Sequence, residues 1–536
     1  LSASLEGMRG EVVLDSVGKL LSFLPDENLS RRSVSASKWA YNRLTTTGGE
    51  EIDLKPETTI YQDGEAKVYK DVWQNLHPGT PVTLYYTAAG QVDYLFLPAA
   101  ESLDQTVMVA KSKPSGTSNP FRGLTGGVSD YAMYKNGVSA TVADIRQYDV
   151  ATYDAAARIM HISDLRITGV YENVYPNTDT PAEITVLGAK LTVLPSAQAD
   201  LRSFKIGEQV TLLLTRDGLV AGAVTPSAAT ASTVGVVREI TGGTAAKRGT
   251  ATVELLGGSG LTFTGEVSVT AQGADRLRGQ LATITSRAAG VLSLTQVNNR
   301  STRQDLDVAN RKLGDTQLAP NVQIFEQVEG GAPVEVSLDQ VTCNTVPAKQ
   351  ILHVGTDYAG RVNLLVLDNV TGDLYTYGFI RSSSEAVRNS EGEIVGSNPL
   401  ALVETDGKTA PDGWKNENLE LYGTLNVVGK VPGGLAFSPN TAAGRKMLAG
   451  YVTLTASGRV SRSAFDLESM TVTTSDLVIP ISQHVVCWNR DTESWFAGDT
   501  PLAALELARA YSDTLTIYYD KAPDQGGKVR MVVAGS

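Results

Sequence analysis

The stretch Gly79-Thr-Pro-Val-Thr-Leu-Tyr-Tyr-Thr-Ala-Ala-Gly-Gln-Val-Asp-Tyr-Leu-Phe-Leu97 decides the fold of this chain. Apolar side chains alternate with their neighbours from Val82 to Tyr86 and again from Val92 to Phe96, with Gly90 between the two runs. Alternation with a period of two is typical of strands that bury one face, and glycine readily forms the tight turn between them. The stretch therefore predicts a β-hairpin.

Near-copies of this hairpin recur along the chain. The closest copy is Gly207-Glu-Gln-Val-Thr-Leu-Leu-Leu-Thr-Arg-Asp-Gly-Leu-Val220, and looser copies run from Gln350 to Leu367 and from Leu515 to Val533. Glycines mark the turns of the looser copies, at Gly360 and at Gly526-Gly527. Self-similarity of this kind indicates a tandem array.

A second repeated element precedes the hairpins and consists of a glycine, a strand, a glycine turn and another strand. The segment from Arg9 to Phe23 aligns with the segment from Arg278 to Leu294 when two extra residues are allowed in the second, and the segment from Ala449 to Ser461 follows the same plan. One such element together with one hairpin forms a unit. The sequence predicts four units, at residues 1–101, 102–226, 227–381 and 382–536.

Short strands and turns fill the space between the repeated elements. A helix is predicted where Thr500 can cap the first turn and Pro501 occupies the first helical position. Aspartate or asparagine precedes glycine at several predicted turns, namely Asp63-Gly64, Asn136-Gly137, Asp217-Gly218, Asp406-Gly407 and Asp412-Gly413. Several short strands with one helical turn are typical of a small, strongly bent sheet. We therefore expect an all-β fold, a tandem array of small β-barrel or β-sandwich units with short helical turns.

Two polar stretches do not fit the strand pattern. Lys111 to Gly127 is rich in Ser, Gly and Pro, and Arg381 to Asn416 is polar throughout much of its length. We interpret both as long surface loops or linkers and the second as a domain boundary.

Composition excludes several classes of function. The 536 residues include 46 basic and 58 acidic side chains, which gives a net charge of -12. Phosphate contacts need clustered Lys and Arg, so nucleic acid is not an expected partner. The longest apolar runs fall short of the roughly 18 residues that a membrane-spanning helix requires.

The opening residues and the cysteines bear on the compartment. Leu1-Ser-Ala-Ser-Leu-Glu6 lacks the basic start and apolar core of a signal peptide, so we expect a mature product or an internal fragment. Cys343 and Cys487 both lie in apolar runs. Two cysteines exclude a disulfide framework, and the sequence leaves open one long-range bridge or two buried thiols.

No known catalytic motif is present in the sequence. It has no nucleophile elbow, no phosphate-binding loop, no His-Glu-x-x-His and no Cys-x-x-Cys. Four histidines are scattered along the chain, at His77, His161, His353 and His484. We therefore expect no catalytic residues, no cofactor and no enzyme activity.

Carboxylates and tryptophans offer two weaker alternatives. Calcium takes oxygen ligands from loops, and two sets of aspartates could supply them, namely Asp305, Asp307 and Asp315, or Asp144, Asp149 and Asp154. Neither set has EF-hand spacing, so the metal ligands stay unassigned. The five tryptophans could form a sugar-binding platform or pack in cores or between units; they are Trp39, Trp73, Trp414, Trp488 and Trp495.

Residues 140–225 resemble the repeat region of bacterial surface proteins that carry S-layer homology modules. The resemblance rests on four segments, Asp144-Ile-Arg-Gln-Tyr-Asp-Val-Ala-Thr-Tyr-Asp154, Ile167-Thr-Gly-Val-Tyr-Glu-Asn-Val-Tyr-Pro-Asn177, Pro181-Ala-Glu-Ile-Thr-Val-Leu-Gly188 and Ile206-Gly-Glu-Gln-Val-Thr-Leu-Leu-Leu214. In that family the homology modules bind cell-wall polymer, and the repeats outside them form the layer or the stalk. The wall-binding module itself is absent from this sequence. Lys38-Trp-Ala-Tyr41 is the only segment that resembles part of that module.

The resemblance implies a secreted protein at a bacterial cell surface. We expect a structural subunit of an S-layer or extracellular filament that associates with copies of itself through its β-rich units. The alternative is a surface adhesin or glycan-binding stalk whose long loops bind cell-wall polymer or another glycan.

Overall fold

The computed structural model divides the chain into two compact units. One contains residues 1–277 and 281–296, and the other contains residues 278–280 and 297–536. The described residues are 6–46, 50–62, 64–76, 80–112, 114, 118–155, 157–229, 231, 233–257, 260–298, 300, 302–409, 419–440, 444–475 and 477–536.

The first unit begins with a two-stranded hairpin and a seven-stranded sheet. The hairpin pairs β1 (Gly10–Leu14) with β2 (Leu20–Pro25). The sheet contains β3 (Ser30–Ala40), β4 (Arg43–Thr46), β5 (Glu51–Asp53), β6 (Thr59–Gln62), β7 (Glu65–Val68), β8 (Thr80–Tyr86) and β9 (Val92–Leu97), with helix α1 (Tyr69–Val72) after β7. Its strand order is β5-β4-β3-β8-β9-β6-β7.

Two five-stranded sheets follow, and helix α2 (Ala100–Asp104) precedes them. The first sheet contains β10 (Val107–Val109), β11 (Ala132–Lys135), β12 (Val138–Ser139), β13 (Val150–Asp154) and β14 (Ile159–Ser163), in the order β10-β13-β14-β11-β12. The second contains β15 (Arg166–Tyr175), β16 (Glu183–Val186), β17 (Ala189–Thr192), β18 (Gln209–Leu214) and β19 (Val220–Val224), with helix α3 (Gln198–Leu201), in the order β17-β16-β15-β18-β19.

A closed barrel, here called the first barrel, completes this unit. Its strands are β20 (Val234–Ile240), β21 (Gly249–Leu255), β22 (Thr262–Val267), β23 (Leu281–Ala288) and β24 (Val291–Gln296), and helix α4 (Ala271–Leu277) precedes β23. They close in the order β20-β21-β22-β24-β23. The barrel shares one apolar core with the β15–β19 sheet. Gly188 has a φ of +71°, and a Cβ there would overlap the carbonyl oxygen of Thr264, so the β16–β17 turn and β22 approach closely.

The second unit contains two sheets and a barrel. Its first sheet has β25 (Leu306–Asp307), β26 (Lys312–Leu313), β27 (Thr316–Gln327), β28 (Val334–Val336), β29 (Thr345–Val346), β30 (Ile351–Thr356) and β31 (Val362–Asp368). The second barrel has β32 (Thr376–Arg388), β33 (Ile394–Glu404), β34 (Glu420–Tyr422), β35 (Val431–Asn440) and β36 (Arg445–Thr453), closed in the order β32-β33-β34-β36-β35. The two barrels therefore have the same topology.

The last sheet of the second unit contains the long strand β40. Its elements are β37 (Thr455–Ser461), β38 (Phe465–Asp466), β39 (Thr471–Thr473), β40 (Val478–Asn489), β41 (Ser494–Trp495), α5 (Pro501–Tyr511), β42 (Thr514–Tyr519) and β43 (Val529–Ala534). The side chain of Thr500 accepts a hydrogen bond from the amide of Ala503 at 3.1 Å, which confirms the predicted cap of α5. The fold is all-β with barrels and short helices, as the sequence predicted.

All four predicted hairpins form, as β8–β9, β18–β19, β30–β31 and β42–β43. They share a feature that the sequence did not reveal. In three of them an earlier strand runs parallel to the second hairpin strand, in the pairs β6 with β9, β27 with β31, and β40 with β43. In the fourth, Val193 forms a parallel bridge to Val220.

Three predictions were wrong. Arg381 to Asn416 is not a surface loop as far as residue 409, because β32 and β33 pair along most of it. The predicted boundary between residues 381 and 382 consequently falls inside β32. The segment from Ala449 to Ser461 is not a hairpin, because β36 pairs with β35 whereas β37 pairs with β42, and Gly458 lies at an irregularity within β37.

The loop from Lys111 to Gly127 is only partly a surface loop. Phe121 is fully buried in the core of the β10–β14 sheet. The Asn119 side chain stabilises the backbone at Phe121, because its Oδ1 accepts a hydrogen bond from the Phe121 amide at 2.9 Å. The boundary predicted at 226/227 lies in the connection between β19 and β20, whereas the boundary predicted at 101/102 lies inside α2. The division into four units stays a prediction.

Candidate assembly surfaces and a buried ion cluster

The β1–β2 hairpin, residues 10–25, is called the N-terminal hairpin and has an uncovered apolar face. Val12 pairs with Phe23, and Leu14 pairs with Leu20. Side chains at paired positions of an antiparallel ladder lie on the same face. Val12 is 56% exposed, Leu14 53% and Leu20 38%, so among the described residues no element covers this face.

The base of the N-terminal hairpin is anchored to the seven-stranded sheet. The hydroxyl of Tyr94 accepts a hydrogen bond from the Arg9 amide at 3.1 Å and donates one to the carbonyl oxygen of Gly7 at 2.9 Å. The Arg9 guanidinium lies 4.1 Å from the centre of the Tyr94 ring and pairs with Asp93 at 2.6 Å. Burial raises the pKa of Tyr94 to about 12, so its hydroxyl keeps its proton. The hairpin is therefore held in place while its apolar face stays open.

The second barrel carries a projecting arm. We define the barrel arm as residues 381–399, the end of β32, its turn and the start of β33. On the barrel, β32 pairs with β35 only from Thr376 to Ile380, and β33 pairs with β34 only from Leu400 to Leu402. Beyond these residues the two arm strands pair with each other, and among the described residues the one further backbone hydrogen bond to them runs from the Gly423 amide to the Pro399 carbonyl oxygen, at 3.4 Å at the base of the arm.

The barrel arm is well formed although it is almost entirely exposed. At its tip, the Asn389 side chain accepts hydrogen bonds from the amides of Glu391 and Glu393, at 3.0 and 2.9 Å. At its base, the Tyr422 hydroxyl donates to Glu385 at 2.6 Å. Ile394 is 63% exposed. The arm therefore presents two unpaired strand edges and apolar side chains to solvent.

A buried ion cluster lies in the second unit, formed by Asp373, Asp520, Lys528 and Arg530. Arg530 in β43 is fully buried, and its guanidinium pairs with Asp373 at 2.5 Å and with Asp520 at 2.9 Å. Lys528 pairs with Asp373 at 2.9 Å. Burial alone would raise the pKa of Asp373, but Arg530 and Lys528 outweigh it and lower that pKa. The four charges compensate one another and tie the β31–β32 connection to the β42–β43 hairpin.

Glu326 of β27 contacts the same β31–β32 connection. Its carboxylate accepts hydrogen bonds from the amides of Val370 and Thr371 and from the Thr371 hydroxyl. Burial raises the pKa of Glu326. One residue in the sequence points to this polar core, since Arg530 is the only charged residue within the apolar run of strand β43.

The predicted aspartate sets do not converge. Asp307 binds the Asn310 side chain and Asp305 accepts from the Ala348 amide, while the buried Asp149 pairs with Lys135 at 2.8 Å. Across the described ranges, no three His, Cys, Asp or Glu side chains lie close enough together to hold a metal ion.

His161, Trp39, Trp488 and Trp495 pack against other side chains, and the last two both contact Phe379 of the second barrel. His161 stacks on Tyr134, and burial lowers the pKa of both His161 and His353. Trp39 is buried, and Trp488 contacts Trp495 edge to face, with ring centres 4.9 Å apart. His77 and Trp414, like Asp63 and Asp412 at two predicted turns, lie outside the described residues.

The two cysteines are buried free thiols, in two different cores. Of the two alternatives that the sequence left open, the thiols are therefore correct. Burial raises the pKa of both thiols, so neither is a reactive thiolate at neutral pH.

Comparison with known proteins adds no identification. No protein-family model matches the chain, and neither the curated proteins nor the solved structures contain a significant match. Over the described residues, every helix is too short or too polar to cross a membrane.

Proposed function

We propose that this protein is a structural subunit of a bacterial cell-surface assembly, an S-layer or an extracellular filament, and that it acts without catalysis. Copies of the chain are its main partners, and neither nucleic acid nor a membrane span is involved. The secreted location rests on the resemblance of residues 140–225 to repeats of surface proteins. The barrel arm is the observation that carries the proposal.

The barrel arm lengthens two strands beyond what the barrel topology requires. In the first barrel, the strands at the equivalent positions, β20 and β21, have 7 residues each. In the second barrel, β32 has 13 residues and β33 has 11. Because the short strands already close a barrel of the same topology, the extra length contributes nothing to closure.

Exposed strand edges favour contact with other chains. Folded proteins usually shield such edges, because unpaired N–H and C=O groups recruit additional strands. An arm with two such edges is therefore suited to contacts between subunits. An adhesin or glycan-binding stalk, the alternative, would use the same arm for a foreign ligand.

Shortening the arm tests the proposal. Replacing residues 384–399 by Asn-Gly joins Ser383 to Leu400, which are paired neighbours in the arm. Asn-Gly suits a two-residue hairpin turn, and the pairing of β32 with β35 and of β33 with β34 is kept. Electron microscopy and light scattering, with and without millimolar calcium, should show ordered polymers of the original chain and loss of those polymers in the shortened variant.

The matched control changes the equivalent hairpin turn of the first barrel. There the Thr244 amide donates to the carbonyl oxygen of Lys247 at 2.7 Å, and the variant replaces Ala245-Ala246 by Asn-Gly. This variant should polymerise like the original chain. Monomeric particles of the original chain in every condition would refute self-assembly and leave ligand binding by the arm as the leading function.

A further inference from the structure

The N-terminal hairpin occupies the place of the last two strands of a barrel. In both barrels the final two strands form an antiparallel hairpin, β23–β24 or β35–β36, and a sheet with a parallel strand pair follows directly in the chain. The N-terminal hairpin is likewise followed by such a sheet, β3–β9. The sequence alignment of Arg9 to Phe23 with Arg278 to Leu294 agrees with this equivalence.

The two hairpins differ in what covers them. In the first barrel, Ala282 and Ile284 of β23 and Leu292 of β24 are at most 2% exposed, because β20, β21 and β22 close the barrel over them. In the N-terminal hairpin, Val12 and Leu14 remain more than half exposed. The missing cover therefore corresponds to three strands.

We propose that the apolar face of the N-terminal hairpin is the docking site of a three-stranded antiparallel meander, which completes a third five-stranded barrel. The meander belongs on the N-terminal side of β1 in the same polypeptide, because β20–β22 and β32–β34 lead into their hairpins in that way. Its inward positions carry alternating apolar side chains, as β21 and β22 do with Val253 and Phe263.

The N-terminal hairpin is already held in a fixed position on the seven-stranded sheet before the meander docks. Its base is fixed by Arg9 and Tyr94, so its two strands are already in position when the meander arrives. Covering three or four large apolar side chains would stabilise the hairpin at the usual value of roughly 25 cal/mol per Å² of apolar surface buried.

A graft from the chain itself tests the proposal. Residues 233–277 contain β20–β22 and α4 and precede Arg278-Gly279, which aligns with Arg9-Gly10. Joining a second copy of residues 233–274 in front of Glu6 should supply the meander at the same distance from Arg9, and it retains Gly7, where a Cβ would overlap the Phe96 ring. Hydrogen exchange of the amides in β1 and β2, measured by mass spectrometry, should slow by more than about tenfold.

Two further graft variants separate failure of docking from poor packing of the first graft. A graft with Val253→Asp and Phe263→Asp should leave the hairpin amides fast, because it cannot form the apolar interior. A second graft, residues 376–430 of the other barrel, should protect the hairpin even if the first graft packs poorly.

Three results would overturn the proposal. Fast exchange in β1 and β2 with both intact grafts would show that a meander does not dock. Slow exchange in the unextended monomer would show that the face is already covered. Protection of the unextended chain that rises with protein concentration would assign the face to a second copy instead.

Discussion

The ion cluster of the second unit should be sensitive to loss of a single carboxylate. Asp373→Asn keeps the shape of the side chain but removes the charge that faces both Arg530 and Lys528. Breaking a buried pair by removing one partner costs about 3–5 kcal/mol, because the other charge stays buried. Arg530 retains Asp520 at 2.9 Å, so we expect the lower end, about 3 kcal/mol.

Urea unfolding can be monitored by hydrogen exchange of peptides from β42 and β43. This readout measures the loss of stability in the second unit itself. With a slope of about 3 kcal/mol per molar urea, the midpoint should fall by about 1 M. Asp513→Asn is the matched control, since the Arg462–Asp513 pair is exposed and such pairs contribute about 0–1 kcal/mol. Equal midpoints for the two variants would refute the reasoning.

Acidification should act through the same carboxylate. The pKa of Asp373 is lower in the folded protein than its ordinary value of 3.8. A lowered pKa contributes stability that is present above 3.8 and is lost as the pH falls through the folded-state pKa. The stability of Asp373→Asn should therefore change less than that of the original chain below about pH 4.

Three further predictions concern other parts of the chain. Thr500→Ala should cost about 1 kcal/mol in thermal or urea unfolding, because α5 loses its cap, whereas Thr500→Ser should cost much less. Phe263→Ala should destabilise the first unit by about 3–5 kcal/mol, measured by hydrogen exchange in β20–β24, and should leave exchange in β42–β43 unchanged. Cys343 and Cys487 should react with a thiol reagent only after unfolding; rapid labelling of the folded chain would contradict their burial.

The sequence predicted the four hairpins from a recurring pattern of apolar runs and glycine turns rather than from burial of one face, since β18 and β43 are buried on both faces. Alternation arises where the two faces of a strand differ in exposure, as in β8, where Thr83 is less buried than its neighbours Val82 and Leu84. Glycines with positive φ, such as Gly90 and Gly360, confirm the turn positions.

The barrel arm escaped prediction for the opposite physical reason. Residues 382–388 read Ser-Ser-Ser-Glu-Ala-Val-Arg and are solvated on both faces, so no periodicity marks them as a strand. Their strand structure comes from pairing with β33, which a local pattern cannot reveal. The prediction for the segment from Ala449 to Ser461 was wrong because β36 forms a hairpin with the preceding strand β35, whereas β37 pairs with β42, which lies far along the chain.

The ion cluster was not predicted because its members are far apart in sequence. Asp373 and Arg530 are separated by 157 positions, and although Arg530 lies within an apolar run, the sequence does not indicate Asp373 as its partner. Only the fold of the second unit brings their side chains together.

Each multi-stranded sheet and barrel is built from one continuous stretch of chain, which has a consequence for synthesis. Strand partners are separated by tens of residues rather than hundreds, so the loop-closure entropy of each sheet is small for a β protein. A chain emerging from the ribosome or from an export channel can complete one sheet before the strands of the next are available. The order of the units along the chain is thus also the order in which they can fold, and aggregation-prone strands need to wait only briefly for their partners.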